Sequence, residues 1–167
     1  NLRKDHPLFA QRIRQAARRG CQISALVDDT PQWAMPIAVG CVSAASDWVA
    51  QLANIAFALS QESGVASPFG GAPDMQAKAI ALSLRSGHKQ AVLLGNAAAH
   101  HPRAAALLAM ANWIAEQTGA RVGYLTEAAN TVGAQLVGAW PQTDGMHAGA
   151  MLAGGLKAVF LMHMEPG

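Results

Sequence analysis

The sequence predicts an α/β domain, a mostly parallel sheet with helices on both faces. Three observations carry this. Residues 91–125 hold two short apolar runs, Ala91–Leu94 and Val122–Leu125, separated by an alanine-rich helical segment between Gly95-Asn96 and Gly119; this is a strand–helix–strand crossover. The wider order reads helix, strand, helix, helix, strand, helix, strand, short helices, strand, which favours parallel strands joined by crossovers. Finally, 167 residues at 51% hydrophobic and 13% charged are enough for one domain with a core of closely packed helices.

Asp5-His6-Pro7 leads into a first helix, Leu8 to Arg19, with Pro7 suited to the opening turn and Asp5 or His6 to the cap region. Phe9, Ile13, Ala16 and Ala17 form its apolar stripe, Arg12, Arg18 and Arg19 lie mostly off it, and Gly20 ends it. Ile23 to Val27 reads as a strand closed by Asp28-Asp29. Thr30 to Ser43, with Pro31, Pro36 and Gly40 among Trp33, Met35, Ile37 and Val39, reads as an irregular apolar loop with at most a short extended piece. Ser46 or Asp47 is placed to cap a helix from Trp48 to about Gln61. Gly64 to Pro73 is a break, and Asp74 caps another helix that runs to Leu84 and closes at Arg85-Ser86-Gly87. After the crossover come a loop from Thr126, a short helix near Gly133–Gly138, a turn at Pro141–Gly145, a short helix at His147–Leu152, and a final strand at Ala158–Met162.

The net charge of +2 is too small to argue for a nucleic-acid or membrane-surface partner. The positive residues Arg3, Lys4, Arg12, Arg14, Arg18 and Arg19 cluster at the start and read as the solvated face of the first helix. Two isolated cysteines argue against a disulfide framework, and no Cys-x-x-Cys motif is present. Cys21, at the start of a strand, is expected to be a buried thiol. No apolar run reaches membrane-spanning length, and no signal peptide is visible. The opening at Asn1 and the stop after Met164-Glu165-Pro166-Gly167 suggest a single domain, residues 1–167, cut from a longer chain.

No strong catalytic signature is present. Gly95-Asn96 lies between a strand and a helix, where α/β sheets bind ligands, but it matches neither a dinucleotide fingerprint nor a P-loop. A tight turn is the default there. Asp28 follows a strand, as ribose-binding acids do, yet without an upstream glycine fingerprint it reads as a polar cap. His100-His101 is adjacent rather than spaced by a helical turn, so one helix face cannot present both to a metal. No G-x-S-x-G elbow occurs. No residue is therefore assigned a catalytic or metal-binding role.

Three strand-end loops carry a family resemblance. Asn1-Leu2-Arg3-Lys4-Asp5-His6-Pro7, the helix after it, Gly20, and a strand ending at Asp28 resemble the opening run of the molybdopterin oxidoreductase superfamily. Leu93-Leu94-Gly95-Asn96 resembles a second such loop, and Val159–Met162 with His163-Met164-Glu165-Pro166 a third. More narrowly, LLGNAAAHHP, WIAEQTGARVGYLTEAANTVGA and GLKAVFLMHMEP resemble the G-subunit family of bacterial NADH-quinone oxidoreductase, respiratory complex I, whose large C-terminal region is a relic of a molybdopterin enzyme. Glu127–Ala134 is the most specific part.

The resemblance implies a three-layer, Rossmann-like α/β fold, as in a molybdopterin oxidoreductase domain. It also implies vestigial cofactor loops at Asn1, Asp28, Gly95, Asn96 and Glu165. Where the superfamily has Asp-Pro-Arg, this chain has Asp28-Asp29-Thr30, which loses a guanidinium for phosphate. Met164-Glu165 adds bulk and negative charge to the third loop. The expectation is a structural domain that binds no cofactor and is itself non-catalytic. The parent protein would carry 4Fe-4S and 2Fe-2S clusters, and the parent complex would pass electrons from NADH to quinone. Implied partners are the cluster domains of the same chain and other peripheral-arm subunits, on the cytoplasmic side of the membrane, with no nucleic acid and no direct membrane insertion. The alternatives are a domain that binds molybdopterin guanine dinucleotide in a molybdenum oxidoreductase, and a free-standing α/β binding module.

Overall fold

A computed structural model of the chain describes residues 2–126, 128, 130–141 and 145–160, with Val132 and Gln135 described by backbone only. The chain divides into two compact units, Asn1–Glu127 and Ala128–Gly167. The first is mixed α/β. It contains α1 (Leu2–Asp5), α2 (Pro7–Arg18), β1 (Ser24–Val27), β2 (Val39–Val42), a 3-10 turn (Ala45–Asp47), α3 (Trp48–Ser63), α4 (Met75–Ser86), β3 (Ala91–Gly95), α5 (Asn96–Ala99), α6 (Ala104–Thr118) and β4 (Arg121–Leu125). The second unit contains α7 (Thr131–Leu136) and α8 (Ala148–Leu152).

Two small parallel sheets result. β1 pairs with β2, setting Leu26 opposite Cys41, and β3 pairs with β4, setting Leu94 opposite Tyr124. The expected crossover is thus present, with β3 and β4 parallel about α6. The helical segment between them is divided. Residues 96–99 form one turn, residues 100–103 interrupt it at Pro102, and α6 starts at Ala104. A proline ring and its missing N–H cannot sit inside a continuing helix.

Helix limits follow local chemistry. Pro7 occupies the first turn of α2, where its missing N–H costs nothing. The Asp74 carboxylate accepts a hydrogen bond from the Ala77 N–H at 2.7 Å, capping α4 and contributing about 1 kcal/mol. Gly64 and Gly119 end α3 and α6 in the left-handed region, at φ +74° and +73°, where a side chain would be strained. Asp47 precedes α3 but its side chain makes no capping bond, because the 3-10 turn already supplies the lead-in.

The core of the first unit gathers on α3, which packs between α4 and α6. Ile55, Ala56, Ala58 and Leu59 of α3 meet Ala77, Ile80 and Ala81 of α4, Ile114 of α6 and Cys41 of β2. Leu26, Val39 and Val92 bring both sheets onto the same cluster. Ala56 and Ala81 are fully buried, so the helix backbones approach closely there. Leu59 and Ile114 are the largest fully enclosed side chains, each contributing roughly 1.5–3 kcal/mol by burial. The alternate strand positions face away from this core: Val42 is 55% exposed and Leu93 40%.

Three expectations are corrected. Residues 39–42, assigned to an irregular loop, form β2, because pairing with β1 satisfies their backbone. Cys21 is exposed, and Cys41, on the core-facing side of β2, is the buried thiol. In the expected last strand, Ala158–Phe160 forms no strand and Phe160 is 90% exposed; an apolar run becomes a strand only where a neighbouring backbone pairs with it. Leu161 and Met162 lie outside the described residues.

Replacing Ala56 with Leu forces side-chain bulk into a contact with no room. The expected cost is about 1–3 kcal/mol in urea unfolding, whereas Ala50→Leu, on the exposed side of the same helix, is expected to leave stability nearly unchanged.

Candidate functional site

In a parallel sheet the backbone leaves every strand at the same rim, and the segments that follow are where ligands are bound. β1 leaves at Val27 into Asp28-Asp29-Thr30, and the Thr30 N–H donates to the Asp29 carboxylate at 2.6 Å. β2 leaves into Ser43, whose N–H donates to the Val27 carbonyl at 2.9 Å and ties the two exits together. β3 leaves at Gly95, which adopts extended backbone ahead of α5.

One side chain joins the exits of the two sheets. His101, just after α5, lies with its Nε2 at 3.0 Å from the carbonyl of Ala45, which follows β2. Its Nδ1 accepts the Arg103 N–H at 2.9 Å. An N–H can only donate, so the proton sits on Nε2, which donates to Ala45. The imidazole also stacks on the Trp48 indole, with centroids 6.1 Å apart and planes 25° from parallel. Trp48 opens α3 and is 6% exposed. His101 thus closes the rim: it holds the segment after β3 against the segment after β2 and serves the start of α6. The side-chain polar atoms Ser43 Oγ and Trp48 Nε1 are buried at this place with no hydrogen-bond partner among the described residues.

Of the sequence-predicted loop residues, Asp28, Gly95 and Asn96 belong to these exits, whereas Asn1 and Glu165 lie outside the described residues. Asp28 is exposed and Asn96 half-buried. Gly95 has negative φ, and a Cβ built on it would meet nothing within 4 Å. Neither its conformation nor its surroundings demand glycine. In the Glu127–Ala134 stretch, Gly133 sits under the Asn130 amide, which leaves no room for a Cβ. The sequence assigns His101 no role. Its one legible signal is the His-Pro-Arg run before a helix, where a side-chain acceptor two residues before the N–H it binds works as a local cap.

The remaining reactive groups are dispersed. Among the described residues, no three His, Cys, Asp or Glu side chains gather as a metal site. Burial, with a smaller contribution from the negative charge of Asp74, pushes the Cys41 thiol above its ordinary pKa. Among the described residues, no helix is long and apolar enough to cross a membrane. No protein-family model, curated protein or solved structure matches this chain.

His101→Ala removes two hydrogen bonds and a stacking contact, with an expected loss of about 2 kcal/mol in urea unfolding. His101→Phe keeps the stacking contact and is expected to lose less. For the thiols, a chromogenic disulfide reagent should titrate Cys21 at once and Cys41 only on unfolding. The Cys41 pKa is raised from 9.0 in the folded chain. Its contribution is therefore fully present below pH 9.0 and declines as pH rises through the folded value. Comparing alkaline unfolding of the wild-type chain with that of Cys41→Ala should show a shallower decline in the variant.

Proposed function

We propose that this chain is a structural domain of the kind found in the iron–sulfur G-subunit family of NADH-quinone oxidoreductase, descended from a molybdopterin enzyme and no longer binding its cofactor. Its two parallel pairs would then belong to a three-layer, Rossmann-like arrangement. Its role is to pack against the cluster-bearing domains and neighbouring peripheral-arm proteins, on the cytoplasmic side, while clusters elsewhere carry the electrons.

The observation that carries this reading is the His101 closure. It ties the segment after β3, which bears Gly95-Asn96, to the segment after β2, itself bonded to the end of β1 ahead of Asp28, and stacks an imidazole on an indole there. A glycine that needs neither unusual φ nor room, as at Gly95, suits a turn that once had to approach a ligand closely. The half-exposed Val42 and Leu93 suit sheets whose second face is meant to be covered, as parallel sheets normally are.

The alternative, a domain holding molybdopterin guanine dinucleotide, fits the described rim residues poorly. Asp28 and Asp29 place two exposed carboxylates where a phosphate would need cations. Titration calorimetry with that dinucleotide should give no binding heat. The tagged chain should also retain the cluster-bearing region of an NADH-quinone oxidoreductase iron–sulfur polypeptide supplied in trans. Dinucleotide binding without such retention transfers the assignment to the molybdenum-enzyme alternative.

A further inference from the structure

The outward side of α2 carries charge that its own surroundings do not offset. Arg12 and Arg19 line a surface groove of about 790 Å³, together with Leu8, Ala16, Cys21 and Lys89. Lys89 arrives from the turn between α4 and β3, so two separate parts of the chain set their cations on one groove. Among the described residues, no carboxylate pairs with Arg12, Arg19 or Lys89. On the other flank of α2, a cleft of about 210 Å³ is lined by Arg14, Trp33 and Met35, and Gln11 lines both cavities. Like charges held together repel, and an anionic partner relieves that cost.

The groove is not purely polar. Leu8 is 82% exposed at its edge, within reach of a partner's aliphatic side chain. This combination discriminates among polyanions. A bilayer needs a helix with its apolar stripe turned outward, but of the α2 stripe Ile13, Ala16 and Ala17 are half-buried and Phe9 is exposed only to 38%. A nucleic acid draws on a strongly basic surface, and the chain as a whole carries only +2. Carboxylates interspersed with aliphatic groups match both the guanidinium forks and the exposed leucine.

We propose that the groove along α2 docks an acidic, partly apolar segment of a protein partner. Its carboxylates pair with Arg12, Arg19 and Lys89, and an aliphatic side chain covers Leu8. The site lies apart from the strand exits, so its failure would leave the reading of the rim untouched.

The test is fluorescence anisotropy with a labelled peptide of glutamates and interspersed leucines, run beside polyglutamate, oligothymidylate and phosphatidylserine vesicles. The expected result is that the mixed peptide binds best. The double variant Arg12→Glu/Arg19→Glu should weaken it by about tenfold or more. Lys89→Glu, on a separate element, should weaken it independently, and Lys78→Glu on α4 should not. Circular dichroism of each variant checks that the helices persist. Absent binding, equal binding by the groove variants, or tighter binding of polyglutamate, oligothymidylate or vesicles would overturn the proposal.

Discussion

Close approach of α3 to its neighbours is the constraint on which the first unit depends. Ala56 and Ala81 are fully buried at this contact, so the helix backbones set the spacing and the larger side chains fill what remains. Leu59 and Ile114 occupy that space, and Leu26, Val39 and Val92 rest both sheets on the result. A larger residue at either alanine would separate the helices and with them the surface that supports the strands. The start of α3 belongs to a second cluster, in which Trp48, Val49 and Ala53 pack on Leu107 and Met110 of α6, and this places Trp48 where the strand exits converge.

That convergence turns architecture into a chemical question. Strand exits of a parallel sheet are open by default, because the chain there has left its hydrogen-bonded partners. Here a side chain that follows β3 bonds the segment that follows β2, and its imidazole stacks on the indole that opens α3. A rim that binds a nucleotide must keep donors aimed into a cleft and a route for water to leave it. A rim that ties its exits together through two of its own rings gains cohesion at that place instead.

The elements easiest to read are those with local punctuation. Gly95 and Gly119 bracket an apolar–helical–apolar pattern, and Asp74 announces the start of α4 through a bond to an amide three residues away. β2 is hidden because Val39–Val42 is short, contains a glycine and follows two prolines; only its pairing with β1 makes it a strand. The cysteines exchange places for a related reason. Burial depends on which side of a strand faces the helices, and that side is not legible until β2 has a partner. Phe160 marks the opposite error: among the described residues, no strand pairs with the start of its apolar run. His101 escapes notice because the carbonyl it grips lies 56 residues earlier in the chain, a distance at which sequence spacing carries no signal.

The imidazole latch reaches only main-chain atoms at its two nitrogens: the oxygen of Ala45 and the amide of Arg103. Every amino acid supplies that oxygen, and every amino acid except proline supplies that amide. Genetic drift at the exposed position 103 can therefore proceed while the fastening survives, whereas position 45 is held to a small residue by its packing on the Trp48 cluster rather than by the bond. The share of the fastening that depends on side-chain chemistry falls on one histidine codon and on the indole beneath it.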